Sequence, residues 1–258
     1  MNRTETALKN SKEWFRGSAF EDKFDSEFRQ IAECFLCGDV LAHGVLTNVQ
    51  KALVTLTALT ANQTLKNIDR YTLSALDMGA IPEEIIETLY QCAPYIGIEK
   101  VQYAVDEVNK IFQAEGIVYH ISEQATVTEE NRFKKGLAIQ QEIFGMEHIN
   151  AMRDSAPAEL KHIQDYLSAY CFGDFYTRGT LNLKMRELIT FAAISSLGGC
   201  EPQVKAHARA NLSVGNTREM LIDAVTQCLP FIGFPRALNA IDLSLIHISE
   251  PTRRSYIS

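Results

Sequence analysis

Three residues in the second half of the chain could carry acid–base or thiol chemistry. Glu187 directly precedes an apolar run, Cys200 follows a Gly-Gly pair, and His207 comes seven residues after that cysteine. Burial of a carboxyl group favours its protonated form unless a cation lies beside it, and such a group suits general acid or base catalysis. A thiol and an imidazole at this spacing could also serve as a nucleophile and its base.

Each of these residues also has a purely structural interpretation. Glu187 could form an ion pair with Arg178, Arg186 or Lys205, and His207 could be a core or interface histidine. Residues of these types are more often structural than catalytic when each is taken alone. Whether these residues are catalytic or structural therefore depends on how the secondary-structure elements that carry them are arranged.

An internal repeat organises those elements. The sequence QCAPYIG at 91–97 recurs as QCLPFIG at 227–233, an offset of 136 residues. A longer block that starts at Cys37 matches a block that starts at Phe172, at an offset of 135. Self-similarity over more than half of the chain indicates a tandem duplication.

The repeat predicts four segments. Residues 1–113 form the first copy, 114–131 a linker, and 132–245 the second copy. Residues 246–258 have no counterpart in the first half and resemble translated vector sequence, so we predict a non-native tail.

The repeat unit has helical periodicity. Val101, Ala104, Val105 and Val108 follow the spacing of one helix face. The run from Leu188 to Leu197 is apolar on nearly all sides, which is typical of a central buried helix. We see no alternating strand pattern, and the predicted class is all-α, with two similar helical bundles in tandem.

The two copies differ in their polar residues. Arg178, Glu187 and His207 have no ionisable equivalents of the same kind in the first half. Their counterparts are His43, Ala52 and Tyr71, and Leu65 lies near the position of Cys200. A duplication that is degenerate in one copy predicts an active second half and a supporting first half.

The composition limits the partners of the protein. The 258 residues are 46% hydrophobic and 22% charged, with a formal net charge of −7. No basic cluster stands out, so we expect no binding to nucleic acid or to a membrane surface. The N-terminal sequence lacks the apolar core of a secretory signal, and no apolar run is long enough to cross a membrane. We expect a cytoplasmic protein with reduced cysteines that acts on a small molecule.

Several motifs of the second half occur together in one known family. They are Arg-x-x-Leu followed by Arg-Glu-Leu over 178–188, Glu-Pro-Gln-x-x-x-His over 201–207, Gly-x-Thr-x-Glu over 215–219, and Gly-Phe-Pro with Ala-Leu-Asn over 233–239. This segment resembles the carboxymuconolactone decarboxylase family, within the alkylhydroperoxidase-D-like superfamily, and the first half resembles it more weakly. The resemblance implies an all-helical fold, no metal or organic cofactor, and homo-oligomers of three or six units. Three tandem chains would then imitate a six-unit ring.

The superfamily contains two chemistries. Its peroxidase-like members carry Cys-x-x-Cys-x-x-x-His with an upstream glutamate, and Cys200, His207 and Glu187 match three of those positions. Gln203 stands at the second cysteine position, so the partner for a local disulfide is missing. Decarboxylase-like members have Glu-Pro-Gln there, as this chain has, and they are thought to work by proton transfer.

The decarboxylase resemblance assigns a role to each residue. Loss of CO₂ beside an unsaturated lactone leaves an enolate-like carbanion, which a placed acid must protonate. Glu187 and His207 would supply this proton chemistry. Arg178 and Arg186 would bind a substrate carboxylate, Arg178 through a bidentate contact. Gln203 would donate or accept a hydrogen bond one turn before His207.

Two other functions remain open from the sequence. The first is a thiol-dependent peroxidase centred on Cys200, since a helix N-terminus favours the thiolate form. Its resolving thiol would come from Cys171, Cys228, the other half or another subunit. The second is an oligomeric protein without catalytic activity.

A further cysteine pair, Cys34 and Cys37, lies in the first half as CFLC. It could be a redox pair or half of a zinc site, but no second Cys/His pair has suitable spacing for zinc. Buried thiols at the end of an amphipathic helix are the favoured interpretation.

Overall fold

The fold is described from a computed structural model, which covers residues 1–20 and 26–248. All regular secondary structure in those residues is helical, and this confirms the predicted all-α class. The α-helices are α1 (Arg3–Phe15), α2 (Ser26–Glu33), α3 (Asn48–Asn62), α4 (Ile68–Asp77), α5 (Pro82–Ile96), α6 (Ile98–Ala114), α7 (Arg132–Phe144), α8 (Met146–Asp154), α9 (Lys161–Tyr166), α10 (Leu183–Leu197), α11 (Glu201–Ser213) and α12 (Arg218–Ile248). Two π-helices extend α2 and α9, and two 3-10 helices lie in the connections. These are Cys34–Val40 and Leu167–Tyr176, and Ile121–Gln124 and Ala158–Leu160.

The described part of the chain ends with α12. The predicted non-native tail, 246–258, begins in the last turn of that helix, and its residues from 249 onward lie outside the described part of the chain. Within the described residues, no helix combines the length and the apolar character needed to cross a bilayer.

The helices recur in the order that a tandem duplication predicts. In each half, an N-terminal helix packs against a π-helix, and a long buried helix follows. Two glycines with positive φ mark the same bend in both copies, because a side chain would strain that conformation. Gly97 (φ +97°) separates α5 from α6, and Gly233 (φ +76°) kinks α12. The tandem arrangement is thereby confirmed in three dimensions.

The two halves share one hydrophobic core. The buried helices α3 and α10 pack against each other at its centre. Helix α5 of the first half packs on α10 of the second, and α12 of the second half packs on α3 of the first. Side chains of one copy therefore lie within reach of the central helix of the other.

A close glycine contact joins α7 to the second π-helix. A Cβ atom at Gly136 would lie 2.0 Å from the carbonyl oxygen of Ser168, and one at Gly173 would lie 2.4 Å from that of Arg132. Only glycine allows two backbones to approach this closely. The contact fixes the π-helix whose last residue is Tyr176.

Candidate active site

Glu187 and His207 meet in the interior of the second half. Glu187 lies in the first part of α10 and is fully buried, and His207 lies in α11 with 7% of its surface exposed. The Nδ1 atom of His207 is 2.8 Å from Oε2 of Glu187. Two residues that are twenty positions apart in the sequence therefore form a hydrogen-bonded pair.

The helix ends explain how the chain brings this pair together. Asn182 caps α10 by accepting a hydrogen bond from the backbone N–H of Met185, and Gly198 ends that helix with φ +71°. The Nδ2 group of Asn211 then donates to the carbonyl oxygens of both Glu187 (2.9 Å) and His207 (2.8 Å). One buried amide thus fixes α11 relative to α10.

The imidazole of His207 is held by aromatic rings on two sides. The ring centroids of Tyr95 and Phe144 are 5.6 and 5.3 Å away, both edge-on. Within the described residues no group forms a hydrogen bond with Nε2, and the side chain keeps 9% exposure. When Glu187 is ionised, it accepts the Nδ1 proton of the neutral ring, so Nε2 carries the free lone pair. The pair is therefore arranged for proton transfer at Nε2.

Two buried tyrosines extend this pair. The hydroxyl of Tyr176 donates to Oε1 of Glu187 at 2.8 Å and lies 2.9 Å from the hydroxyl of Tyr95. The thiol of Cys171 lies 3.4 Å from the Tyr95 hydroxyl. Burial raises the pKa of both tyrosines well above that of free tyrosine and raises the pKa of Cys171 to about 12. All three groups are therefore neutral at pH 7, and Tyr176 acts as a hydrogen-bond donor to the carboxylate.

The tyrosines are absent from the sequence-based prediction, although a comparison of the two copies contains a signal for them. Phe231 stands at the position equivalent to Tyr95, and Leu41 at the position equivalent to Tyr176. In both cases only the site described above retains a hydroxyl. Tyr95 also belongs to α5 of the first half, so the second half does not form this site by itself.

The two arginines predicted to bind substrate form ion pairs with a carboxylate of the first half. Both contact Glu87, which α5 of the first half contributes. Arg178 Nε lies 2.7 Å from one carboxylate oxygen, and Arg186 Nη2 lies 3.0 Å from the other. Arg186 is fully buried and also donates to Gln91 at 2.9 Å, so it has no open side toward a substrate. Burial lowers the pKa of its guanidinium, and the charge of Glu87 opposes that effect.

Arg178 keeps contact with the surface. Its side chain is 14% exposed, its guanidinium lies 5.4 Å from the ring centroid of Tyr90, and Nη2 donates to the carbonyl oxygen of Ile121. Two guanidinium groups share the single carboxylate of Glu87. The cluster therefore carries a net positive charge.

Cys200 and Gln203 form no hydrogen bond with Glu187 or His207. Cys200 is the N-cap of α11, and its thiol lies 3.5 Å from the carbonyl oxygen of Gly198. Cys200 lines a cavity of about 300 Å³ whose walls include neither Glu187 nor His207. Gln203 is exposed on the first turn of α11.

The first-half cysteine pair has no arrangement for metal binding. Cys34 and Cys37 lie in the first π-helix and are both buried, as the favoured interpretation expects. Burial raises the pKa of Cys37 to about 11, which disfavours its thiolate. No group of three or more His, Cys, Asp or Glu side chains suited to a metal ion occurs among the described residues.

Comparison with known proteins places the chain in a family. The profile of the carboxymuconolactone decarboxylase family matches two segments, residues 34–110 and 161–244. The chain belongs to the carboxymuconolactone decarboxylase family. Together the two matches confirm that the chain contains two copies of the family's unit.

Two relatives illustrate the range of the carboxymuconolactone decarboxylase family. The chain is 26% identical over 118 residues to the 4-carboxymuconolactone decarboxylase of Acinetobacter baylyi (strain ATCC 33305 / BD413 / ADP1), an alignment that covers 46% of this chain and 87% of that protein. It also matches the crystal structure of a protein assigned as a gamma-carboxymuconolactone decarboxylase subunit from Burkholderia xenovorans LB400, with a TM-score of 0.56 and 20% identity. That match covers 93% of this chain and 95% of the other, so the two proteins share their fold.

Proposed function

We propose that this protein is a cofactor-free decarboxylase that acts on an unsaturated carboxylated lactone or a related small acid. The observation that carries the proposal is the buried hydrogen-bonded pair of Glu187 and His207, with Nε2 of the histidine left open. The family supports a decarboxylase, and the similarity to the Acinetobacter protein supports a carboxymuconolactone as substrate class.

The chemistry needs one proton and no metal. The bond between the substrate carboxylate and its carbon breaks, CO₂ leaves, and the electron pair passes into the unsaturated lactone as an enolate. The imidazolium of His207 then gives its Nε2 proton to carbon, and the ring recovers that proton from solvent. Glu187 stabilises the imidazolium through Nδ1, and Tyr176 holds Glu187 in place.

The substrate carboxylate requires a positive field, and the cluster of Arg178 and Arg186 supplies it. Because one Glu87 carboxylate balances only one of the two guanidinium groups, a single positive charge remains. Arg178 is the partly exposed member and would contact the carboxylate, whereas Arg186 would act through charge and position. Gln203 would bind substrate from the exposed face of α11.

The protein would work as a homo-oligomer. The structural relative from Burkholderia xenovorans is described as a subunit, and three tandem chains would supply six family units. Gln203, on the exposed side of α11, would then face a neighbouring chain.

The proposal is tested by steady-state kinetics with 4-carboxymuconolactone, measured as CO₂ release. We expect His207→Asn and Glu187→Gln to lower kcat by about a hundredfold or more, because each removes a partner in proton transfer. Cys200→Ser should keep activity within about threefold. A loss above a hundredfold in Cys200→Ser, or no turnover by the wild-type protein, would contradict the acid–base assignment.

A variant of Tyr176 distinguishes a positioning residue from a binding residue. Tyr176→Phe should lower kcat about tenfold with little change in KM, because a hydrogen bond to a buried carboxylate is lost and no substrate contact is touched. Tyr95→Phe, which introduces the residue found in the other copy, is the milder control. An increase in KM at constant kcat would instead place Tyr176 against the substrate.

A further inference from the structure

The first half contains a counterpart of the Glu187–His207 site. Tyr71 occupies the position equivalent to His207, at the repeat offset of 136. Its ring lies edge-on between Phe15 and Phe231, with centroid distances of 5.4 and 5.5 Å. The two aromatic neighbours of His207 lie in the same arrangement at 5.3 and 5.6 Å. The duplication has thus kept two edge-on aromatic neighbours around this position in both copies.

The chemistry of this counterpart differs, because Tyr71 replaces the imidazole and the equivalents of Glu187 and its neighbours are apolar. Without a carboxylate, an imidazole or a network of hydroxyls, it has no group for acid–base chemistry at neutral pH. The replacements are Ala52 for Glu187, Leu41 for Tyr176, Phe231 for Tyr95 and Leu36 for Cys171.

A large cavity opens at this counterpart. Its volume is about 690 Å³, which lies in the range of small-molecule binding pockets. Lys66, which is exposed, is the charged residue among the described residues of the lining. Most of the wall is aromatic or aliphatic and includes Phe20, Phe35, Leu59, Leu65, Phe231 and Phe234.

Tyr71 contributes a polar group to the lining of the cavity. Tyr71 is 8% exposed, and its hydroxyl forms no hydrogen bond within the described chain. It is not sealed from solvent, so it can donate to a bound molecule. A ligand that carries an acceptor oxygen would satisfy it, and a buried polar group that gains a partner stabilises a complex.

We propose that this first-half cavity is a second binding site, for an uncharged and largely apolar small molecule with a hydrogen-bond acceptor. A charged ligand would lose its hydration against a wall whose described residues offer no buried counter-charge. A small molecule fits better than a protein segment, because the volume of about 690 Å³ is that of a small-molecule pocket. The proposal does not depend on decarboxylase activity.

The test uses the uncharged naphthalene ketone prodan, whose fluorescence rises and shifts to the blue in an apolar site. We expect saturable binding of one probe per chain. Ala32→Trp, in the wall of the cavity, should weaken binding about tenfold or more by filling it. The matched control is Leu167→Trp, at the equivalent position of the second half, which should leave binding unchanged. Thr64→Trp fills the cavity from an exposed position if the first variant fails to fold.

Further measurements separate this site from other sources of binding. Tyr71→Phe should weaken prodan binding about threefold to tenfold, through the lost hydrogen bond to the ketone, and leave binding of 2-ethylnaphthalene unchanged. Decarboxylase activity should be the same in Ala32→Trp and wild type. The proposal is overturned if Leu167→Trp removes binding instead, if neither tryptophan variant affects it, or if they change the molar mass of the assembly in light scattering. The last result would identify the cavity as an interface between chains.

Discussion

Burial separates five of the six cysteines from thiol chemistry. Cys200 is the partly exposed one, and the others are buried. Burial raises the pKa of Cys92, Cys171 and Cys228 to about 12 in each case. Thiols of this kind contribute little thiolate at neutral pH, so none is suited to resolve an oxidised Cys200. The low thiolate content of the buried cysteines therefore favours the acid–base assignment over thiol chemistry.

The same burial makes stability depend on alkaline pH. A thiol titrates near pH 9 in the unfolded chain and near pH 12 in the folded one, so the folded state binds more protons between these values. Stability is fully present below pH 9 and falls as pH rises above it, by about 1.4 kcal/mol per thiol at pH 10. Urea unfolding of the double variant Cys92→Ala, Cys228→Ala should show a smaller loss between pH 8 and 10 than wild type. If the free energy of unfolding fell equally with pH in the double variant and in wild type, the buried thiols would not be the origin of the alkaline instability.

At the scale of elements, the packing of α7 on the second π-helix differs from its counterpart in the first half. Gly38 is the repeat equivalent of Gly173, and Ala7 of α1 contacts it as Gly136 of α7 contacts Gly173. In the first half, the contact between α1 and the first π-helix accommodates the Cβ of Ala7, which lies 3.3 Å from a Cβ built on Gly38. The second-half pair brings two backbones together without any side chain. Tyr176, three residues beyond Gly173, depends on that closer approach for its position.

A methyl group at this contact should therefore affect both stability and activity. Gly136→Ala would place its Cβ 2.0 Å from a backbone oxygen, so we expect a loss of about 2–4 kcal/mol in the free energy of unfolding. The kcat should fall as Tyr176 moves. The control Ala7→Gly should cost only about 1 kcal/mol. Urea denaturation and kinetics measure the two effects, and equal losses in both variants would argue against a special role of the second contact.

At this scale, the sequence was sufficient to predict the helices and their tandem arrangement but not all contacts of the site. The helical period, the repeat and the run at Leu188–Leu197 predicted the all-α tandem fold, because each is a local pattern. The resemblance to a family assigned proton-transfer roles to Glu187 and His207, whereas their hydrogen bond is seen in the structure. Tyr95 and Glu87 were missed because alignment of the two copies identifies equivalent residues, whereas these residues contact the opposite copy. The prediction that Arg186 binds substrate did not anticipate a buried carboxylate from α5.

At the scale of the whole molecule, each half extends one carboxylate into the other. Glu87 reaches from α5 to Arg178 and Arg186. Its equivalent, Asp223 of α12, accepts a hydrogen bond from the backbone N–H of Leu46 at 2.7 Å in the first half. The exchange is reciprocal in geometry. Glu87 forms ion pairs with two arginines, whereas Asp223 acts on the buried amine of Lys51 through its charge without a direct ion pair.

This asymmetry predicts unequal effects of two equivalent substitutions. Glu87→Gln leaves two guanidinium groups without an anion, and we expect a loss of about 3–5 kcal/mol in stability together with reduced activity. Asp223→Asn keeps an acceptor oxygen for Leu46 and should cost about 1–2 kcal/mol. Thermal and urea unfolding of both variants give the comparison. A cost for Asp223→Asn as large as that for Glu87→Gln would show that charge is not the deciding factor.

The reciprocal exchange of carboxylates has a consequence for how the protein can change over evolution. In a chain with a single copy, the same contact would have to form between two identical molecules, and every substitution would appear at both ends of it. The covalent link holds the two copies at a fixed, high effective concentration, so the pair does not dissociate on dilution. It also lets one copy change without imposing that change on the other. A glutamate can balance arginines in one copy while an aspartate holds a loop in its twin, and one pocket can lose its ionisable groups while the other keeps them.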